Sequence, residues 1–137
     1  MKKLYVLCLL FLLSCVALQA QNRKFLGTWE STDSSDSVQM ILDNKGFMTF
    51  RTDNQLMGGI GYNIDGQILR MKYKISKVNG RTKIGITIRD MKTKEIVKRD
   101  SGTITFMDSN NIQICFNKTI NESNGKTQDC RTFLKLR

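Results

Sequence analysis

The chain has 137 residues, 22 Lys and Arg against 12 Asp and Glu, a formal net charge of +10, and neither histidine nor proline. This length suits one domain with a real core. The lack of histidine removes the commonest general base and a common metal ligand, and so excludes most chemistry built on either.

The first element is an export signal over residues 1–20. Lys2 and Lys3 form a positive start, and Leu4 to Leu13 is an unbroken apolar run. Such a run is too short to span a bilayer as a helix, which takes about 20 residues, but it matches the apolar centre of a secretory signal. Small residues follow at Ser14, Cys15, Ala17 and Ala20. Two processing routes stay open. Cleavage after Ala20 gives a secreted or periplasmic product. Leu12-Leu13-Ser14-Cys15 resembles the bacterial lipobox, which would anchor the chain to the outer membrane through a lipid on Cys15. The mature domain is then residues 21–137. It loses Lys2 and Lys3 and keeps 20 basic against 12 acidic residues, a net charge of +8.

Period-two alternation runs through the mature chain, as expected of half-buried strands. A first strand lies around Leu26–Ser31. Val38, Met40 and Leu42 alternate with polar or outward positions, and Asp43-Asn44-Lys45-Gly46 turns the chain into Phe47–Arg51. Ile60, Tyr62 and Ile64 precede the hairpin signal Asp65-Gly66. Leu69, Met71, Tyr73 and Ile75 alternate with Arg70, Lys72 and Lys74. Asn79-Gly80 then turns into Ile84, Ile86 and Ile88. Residues 90–100 fit neither period, and either a short helix or a charged strand extension is expected there. Ile104 and Phe106 form a strand, Asp108–Asn111 a turn, and Ile112, Ile114 and Phe116 the next strand. The chain closes on Arg131–Arg137.

These segments give eight or nine antiparallel strands with short connections, so sequence neighbours are sheet neighbours. The expected fold is all-β, a small up-and-down barrel, because closure removes exposed edges.

The residues Gly27-Thr28-Trp29, the Gly61-Tyr62 strand before Asp65-Gly66, and the basic last strand carry a resemblance. The chain resembles the bacterial lipocalin-like domains of the lipocalin and fatty-acid-binding-protein superfamily. The resemblance implies that Gly27 and Trp29 close one barrel end and that an arginine, Arg131 or Arg137, packs across the indole. Two departures bear on ligand choice. The connection Thr32–Asp36 is too short for the helical lid of fatty-acid-binding proteins. Arg131-Thr132-Phe133 stands where those proteins carry an Arg-x-Tyr, so the carboxylate-binding hydroxyl is lost.

Of four cysteines, Cys8 and Cys15 belong to the signal. Cys115 and Cys130 remain, and in an oxidising compartment they read as one disulfide. No metal site is expected from two thiols without histidine, and no cofactor.

Three functional readings follow. The first is a binding barrel for a small apolar or amphipathic ligand, with Tyr62, Tyr73, Met40, Met71 and Met57 as ligand contacts, since methionine adapts to irregular apolar shapes. The second is a protease inhibitor or protein-interaction module that presents the clamped loop 117–129 to a protease or another protein. The third, an enzyme, is not expected, because the carboxylates are scattered in turns and no nucleophile motif is present. Nucleic acid is not an expected partner of an exported chain. An anionic membrane or glycan surface is, through an outer stripe of Arg70, Lys72, Lys74, Lys83 and Arg89.

Overall fold

The computed structural model describes residues 22–33, 37–118 and 127–137. The segment expected to be an export signal, Cys15 within it, and positions 119–126 of the loop expected to serve as a docking segment lie outside the described residues.

Ten strands form one antiparallel sheet: β1 (Gly27–Ser31), β2 (Gln39–Leu42), β3 (Met48–Arg51), β4 (Leu56–Gly58), β5 (Tyr62–Ile64), β6 (Gln67–Val78), β7 (Arg81–Asp90), β8 (Ile96–Phe106), β9 (Asn111–Lys118) and β10 (Thr127–Lys135). Their order is β4-β3-β2-β1-β10-β9-β8-β7-β6-β5. The Ile60–Ile64 segment read as a strand corresponds to β5, and the strand that the sequence-based count of eight or nine lacks is β4. Its three residues, Leu56–Gly58, are too few for alternation to register. The segment 90–100 resolves into a turn at 91–95 and the charged start of β8, the strand extension rather than the helix.

The sheet curls into a nearly closed barrel. Its seam lies between β3 and β6, where Phe47 bridges Lys72. The Tyr73 N–H donates to the Gly46 carbonyl at 2.9 Å, and the Met71 N–H to that of Gly59 at 3.0 Å. Gly59 spans the seam, since its own N–H donates to the Met48 carbonyl at 2.7 Å. The preceding Gly58 has φ +106°, and a Cβ there would sit 2.4 Å from the Met48 oxygen. The barrel therefore requires glycine at that position for both conformation and space.

Inward residues form one core: Trp29, Met40, Leu42, Met48, Leu69, Met71, Ile84, Ile86, Ile104, Ile112, Ile114 and Phe133 are all buried. Trp29 is wholly buried. Its indole N–H donates to the Phe25 carbonyl at 2.8 Å, which satisfies the polar atom of a buried ring. Phe25 packs on Phe106 with centroids 5.0 Å apart and plugs this barrel end.

The cation over Trp29 is Lys135, whose Nζ lies 5.2 Å from the ring centre, and not Arg131 or Arg137. Register decides this, because Lys135 stands opposite Trp29, whereas Arg131 stands opposite Ile114. Arg137 lies beyond the last strand, and both arginines are exposed. Cys115 and Cys130 are bonded, as expected, and are direct partners on the β9–β10 ladder. That ladder continues beyond them to Lys118 and Thr127.

Candidate functional site

Of the five residues expected to contact a ligand, Met40, Tyr62 and Met71 share the core, Tyr73 packs against it, and Met57 lies outside it. Met40 and Met71 are buried in the core. Tyr62 is buried, and burial raises its hydroxyl pKa above the usual 10.0. Met57 is largely exposed on β4. Ile60, read from the sequence as one alternating strand with Tyr62 and Ile64, is exposed where Tyr62 is buried, because the backbone crosses the seam at Gly59 and leaves the next side chain outside. Tyr73 is half-buried, and its hydroxyl donates to the Asp43 carbonyl at 2.7 Å. Burial raises its pKa first, and the charge of Asp43 adds to that, so the hydroxyl stays a donor. Two concavities of about 730 Å³ each lie on the outer surface, and of these five residues only Tyr73 lines either of them.

The first of those concavities is built on the basic stripe. It is lined by Lys45, Gly46, Arg70, Lys72, Tyr73, Lys74, Gly85, Thr87 and Arg89. Five of these nine residues are cations and none is a carboxylate, so the wall carries a single sign of charge. The ladder explains how the cations gather. Arg70 stands opposite Arg89, Lys72 opposite Thr87 and Lys74 opposite Gly85. Residues directly opposite share a face, so the outward positions of β6 and β7 merge into one surface. Lys83, the fifth residue of the expected stripe, stands opposite Ser76, further along the same hairpin. On the other flank Arg99 of β8 stands opposite Thr87 and extends the charge across a third strand.

The cations are held by backbone and aromatic groups. Arg70 Nε donates to the Ile60 carbonyl at 3.3 Å. Arg89 Nη1 donates to the Lys94 carbonyl at 2.6 Å. Phe47 lies beneath two of them, with Arg70 Cζ at 5.6 Å and Lys72 Nζ at 5.3 Å from its ring centre. Such cation–π contacts fix long side chains without neutralising them. Lys45 arrives from the turn after β2. There Asp43 Oδ1 accepts the N–H groups of Lys45 and Phe47 at 2.9 and 2.8 Å. This side-chain-to-backbone turn holds both residues at the seam. Among the described residues, the ion pair seen is Lys98–Asp100 at 3.0 Å, formed by the two residues that flank Arg99 on β8.

Alternation and the Asn79-Gly80 turn make Arg70, Lys72, Lys74 and Arg89 legible as one stripe. Lys45 and Phe47 join it only through the seam, a contact between segments far apart in the chain that leaves no periodic signal.

No family model and no curated protein sequence matches the chain. Among solved structures, the crystal structure of Treponema pallidum Tp0751 (pallilysin) is similar, with 12% sequence identity, a TM-score of 0.48, and coverage of 85% of this chain and 82% of that one.

Proposed function

We propose that this chain is an exported, non-catalytic binding protein of lipocalin-like fold, and that its working surface is the basic outer wall of β6 and β7 rather than the barrel interior. The observation that carries the reading is the cross-strand pair Arg70–Arg89 inside a concavity with five cations and no carboxylate. Like charges placed directly opposite each other oppose folding. Local choices that oppose the fold concentrate at functional sites. An anionic partner relieves the repulsion and meets several free N–H donors at once, which makes charge-assisted hydrogen bonds. The inward methionines Met40 and Met71 serve the core in this reading.

Dextran sulfate, a soluble polyanion, tests the reading. The purified protein should bind it at low salt, and binding should fall steeply as salt rises, because exposed charges are screened beyond about 10 Å at 0.1 M. Replacing Arg70, Lys72 and Arg89 by Gln should abolish binding while the fold is kept. Binding unchanged in that variant would overturn the proposal.

A further inference from the structure

A second feature adjoins the basic wall. Leu56, Met57, Ile60, Ile64 and Ile68 are between 41% and 62% exposed. They come from β4, β5, the crossing between them and the start of β6. Register places them at one end of the barrel. β3 runs antiparallel to β6 at the seam, and Leu56 pairs with Arg51 at the far end of β3. Ile64 pairs with Gln67 and Ile68 with Asn63, at the start of β6. Trp29, Phe25 and Phe106 close the barrel elsewhere, so this cluster is separate from that plug. Single exposed aliphatics are ordinary on a protein surface, whereas five in one short stretch form a patch that marks an interaction site.

The charges around the patch identify its partner. Arg70 is bonded to the carbonyl of Ile60, so a guanidinium is fixed at the edge of the apolar cluster. Arg51 stands opposite Leu56. Arg89 stands opposite Arg70, and Lys72 follows two residues along β6. Two exposed carboxylates, Asp53 and Asp65, stand in the turns of the same end, so the cations outnumber them four to two and lie on its β3 and β6–β7 sides. Aliphatic side chains with arginine and lysine along those sides match the two layers of a bilayer face, with acyl chains below and anionic phosphates above. A protein partner would need one shaped complement to both parts, whereas a lipid surface supplies both by its chemistry. We infer that this end of the barrel inserts Leu56, Met57, Ile60, Ile64 and Ile68 shallowly into an anionic lipid surface while Arg51, Arg70, Lys72 and Arg89 bind its phosphates. The inference rests on the anion-binding reading and names the source of the anion.

The test places an environment-sensitive fluorophore on Ile60→Cys, and separately on Asn79→Cys at the distal β6–β7 turn. Vesicles are phosphatidylcholine with or without phosphatidylglycerol, some carrying nitroxide-labelled acyl chains. The label at position 60 should shift to the blue and be quenched by the nitroxide lipids only where phosphatidylglycerol is present. The label at 79 should do neither. This readout follows insertion at the barrel end, so an anchor at the N-terminus does not mimic it. A triple variant, Met57→Ser, Ile60→Ser and Ile68→Ser, should lose vesicle affinity by about tenfold or more, from the loss of apolar burial, yet bind dextran sulfate as the parent does. A label at 60 that stays in water on anionic vesicles, or a triple variant with parental vesicle affinity, overturns the membrane inference. If dextran sulfate binding survives that failure, the anion-binding reading stands and the anion is a soluble or glycan polyanion. If it fails too, both readings fall.

Discussion

Arg70 of β6 and Arg89 of β7 stand directly opposite each other on an antiparallel ladder, and each guanidinium is tied to a backbone carbonyl, Ile60 for the first and Lys94 for the second. The two charges are thereby parked on one face without a carboxylate between them. In a sheet whose other exposed positions tolerate Thr and Ser, this placement needs a reason beyond folding.

Arg89→Thr separates the two roles. Threonine suits a strand and removes the repulsion, while one exposed hydrogen bond is lost. Stability should stay within about 0.5 kcal/mol of the parent, as for most surface changes. Dextran sulfate binding should weaken, with a shallower dependence on salt. Urea unfolding and a salt series of binding isotherms check the two halves. A variant that loses stability and keeps binding would make Arg89 a structural residue.

Trp29 and Lys135 give a prediction about the plugged end. Trp29→Ala should cost about 3–5 kcal/mol as a large core truncation. Lys135→Ala should cost about 0.5–1 kcal/mol, from the cation–π contact at a partly exposed site. Arg131→Ala and Arg137→Ala should fall within about 0.5 kcal/mol of the parent, since neither covers the indole. Urea midpoints of the four variants rank these effects. An Arg131→Ala loss larger than that of Lys135→Ala would contradict the register.

Much of this architecture can be read from residue order. The alternation of Leu69, Met71, Tyr73 and Ile75 with Arg70, Lys72 and Lys74, followed by Asn79-Gly80, defines the longest hairpin and the basic stripe together, because period and turn chemistry point the same way. The Cys115–Cys130 bond is expected once Cys8 and Cys15 are assigned to the N-terminal apolar segment, and the two residues are bonded. The cation over Trp29 is a different matter: three basic residues lie within the last seven positions, and only the β1–β10 register selects Lys135. The seam is the least legible part. It depends on Gly58 and Gly59 bringing backbones together, and a close approach of main chains has no side-chain pattern. Everything that joins across it was hidden for that reason, including Lys45 and Phe47 in the basic wall and the outward turn of Ile60.

The disulfide supplies a third test. Cys115 and Cys130 are 15 residues apart in sequence. Closing a loop of that size is worth about 3 kcal/mol in the chain-entropy view. The double variant Cys115→Ser, Cys130→Ser should lose about that amount in urea unfolding while keeping the β-sheet circular dichroism of the parent. Polyanion binding should be unaffected in the folded double variant, since neither cysteine lines the basic wall.

Seam closure can be tested at one atom. Gly58→Ala adds a methyl group 2.4 Å from the Met48 carbonyl oxygen, at a φ that disfavours side chains. The strand must shift, and with it the Gly59 bonds that join β3 to β6. A loss of about 1–3 kcal/mol is expected from strain at such a position. Gly66→Ala is the control, because a Cβ there meets nothing within 4 Å although φ is also positive, at +84°. The difference between the two variants isolates the close approach from the conformational term. Hydrogen exchange should show faster exchange at Met71 and Gly59 in Gly58→Ala alone. Equal losses in the two variants would mean that the close approach at the seam adds nothing to stability.

The turn between β7 and β8 sets a pH dependence. Asp90 is buried, and its Oδ1 accepts the N–H groups of Lys92 and Thr93 at 2.7 and 2.9 Å. These bonds, Thr93 first and Lys92 next, hold its pKa below the ordinary 3.8 against the opposing effect of burial. A carboxylate whose folded pKa is lowered binds protons more readily when unfolded. Its contribution to stability is therefore complete above the unfolded value of 3.8 and is lost as pH falls through the lower folded value. Asp108 behaves alike, held down mainly by the Asn110 N–H and then by the Asn111 side chain. The urea midpoint should accordingly be flat with respect to these two groups at neutral pH and decline below pH 3.8. Asp90→Asn should lower the midpoint at pH 7, because a neutral amide accepts the two N–H groups less strongly. The same variant should decline less steeply in acid, since the titrating group is gone. Parallel acid limbs for the parent and Asp90→Asn would show that this turn does not carry the dependence. Because Arg89 is bonded to the Lys94 carbonyl in the same turn, Asp90→Asn should also weaken polyanion binding modestly at pH 7, linking the turn to the basic wall.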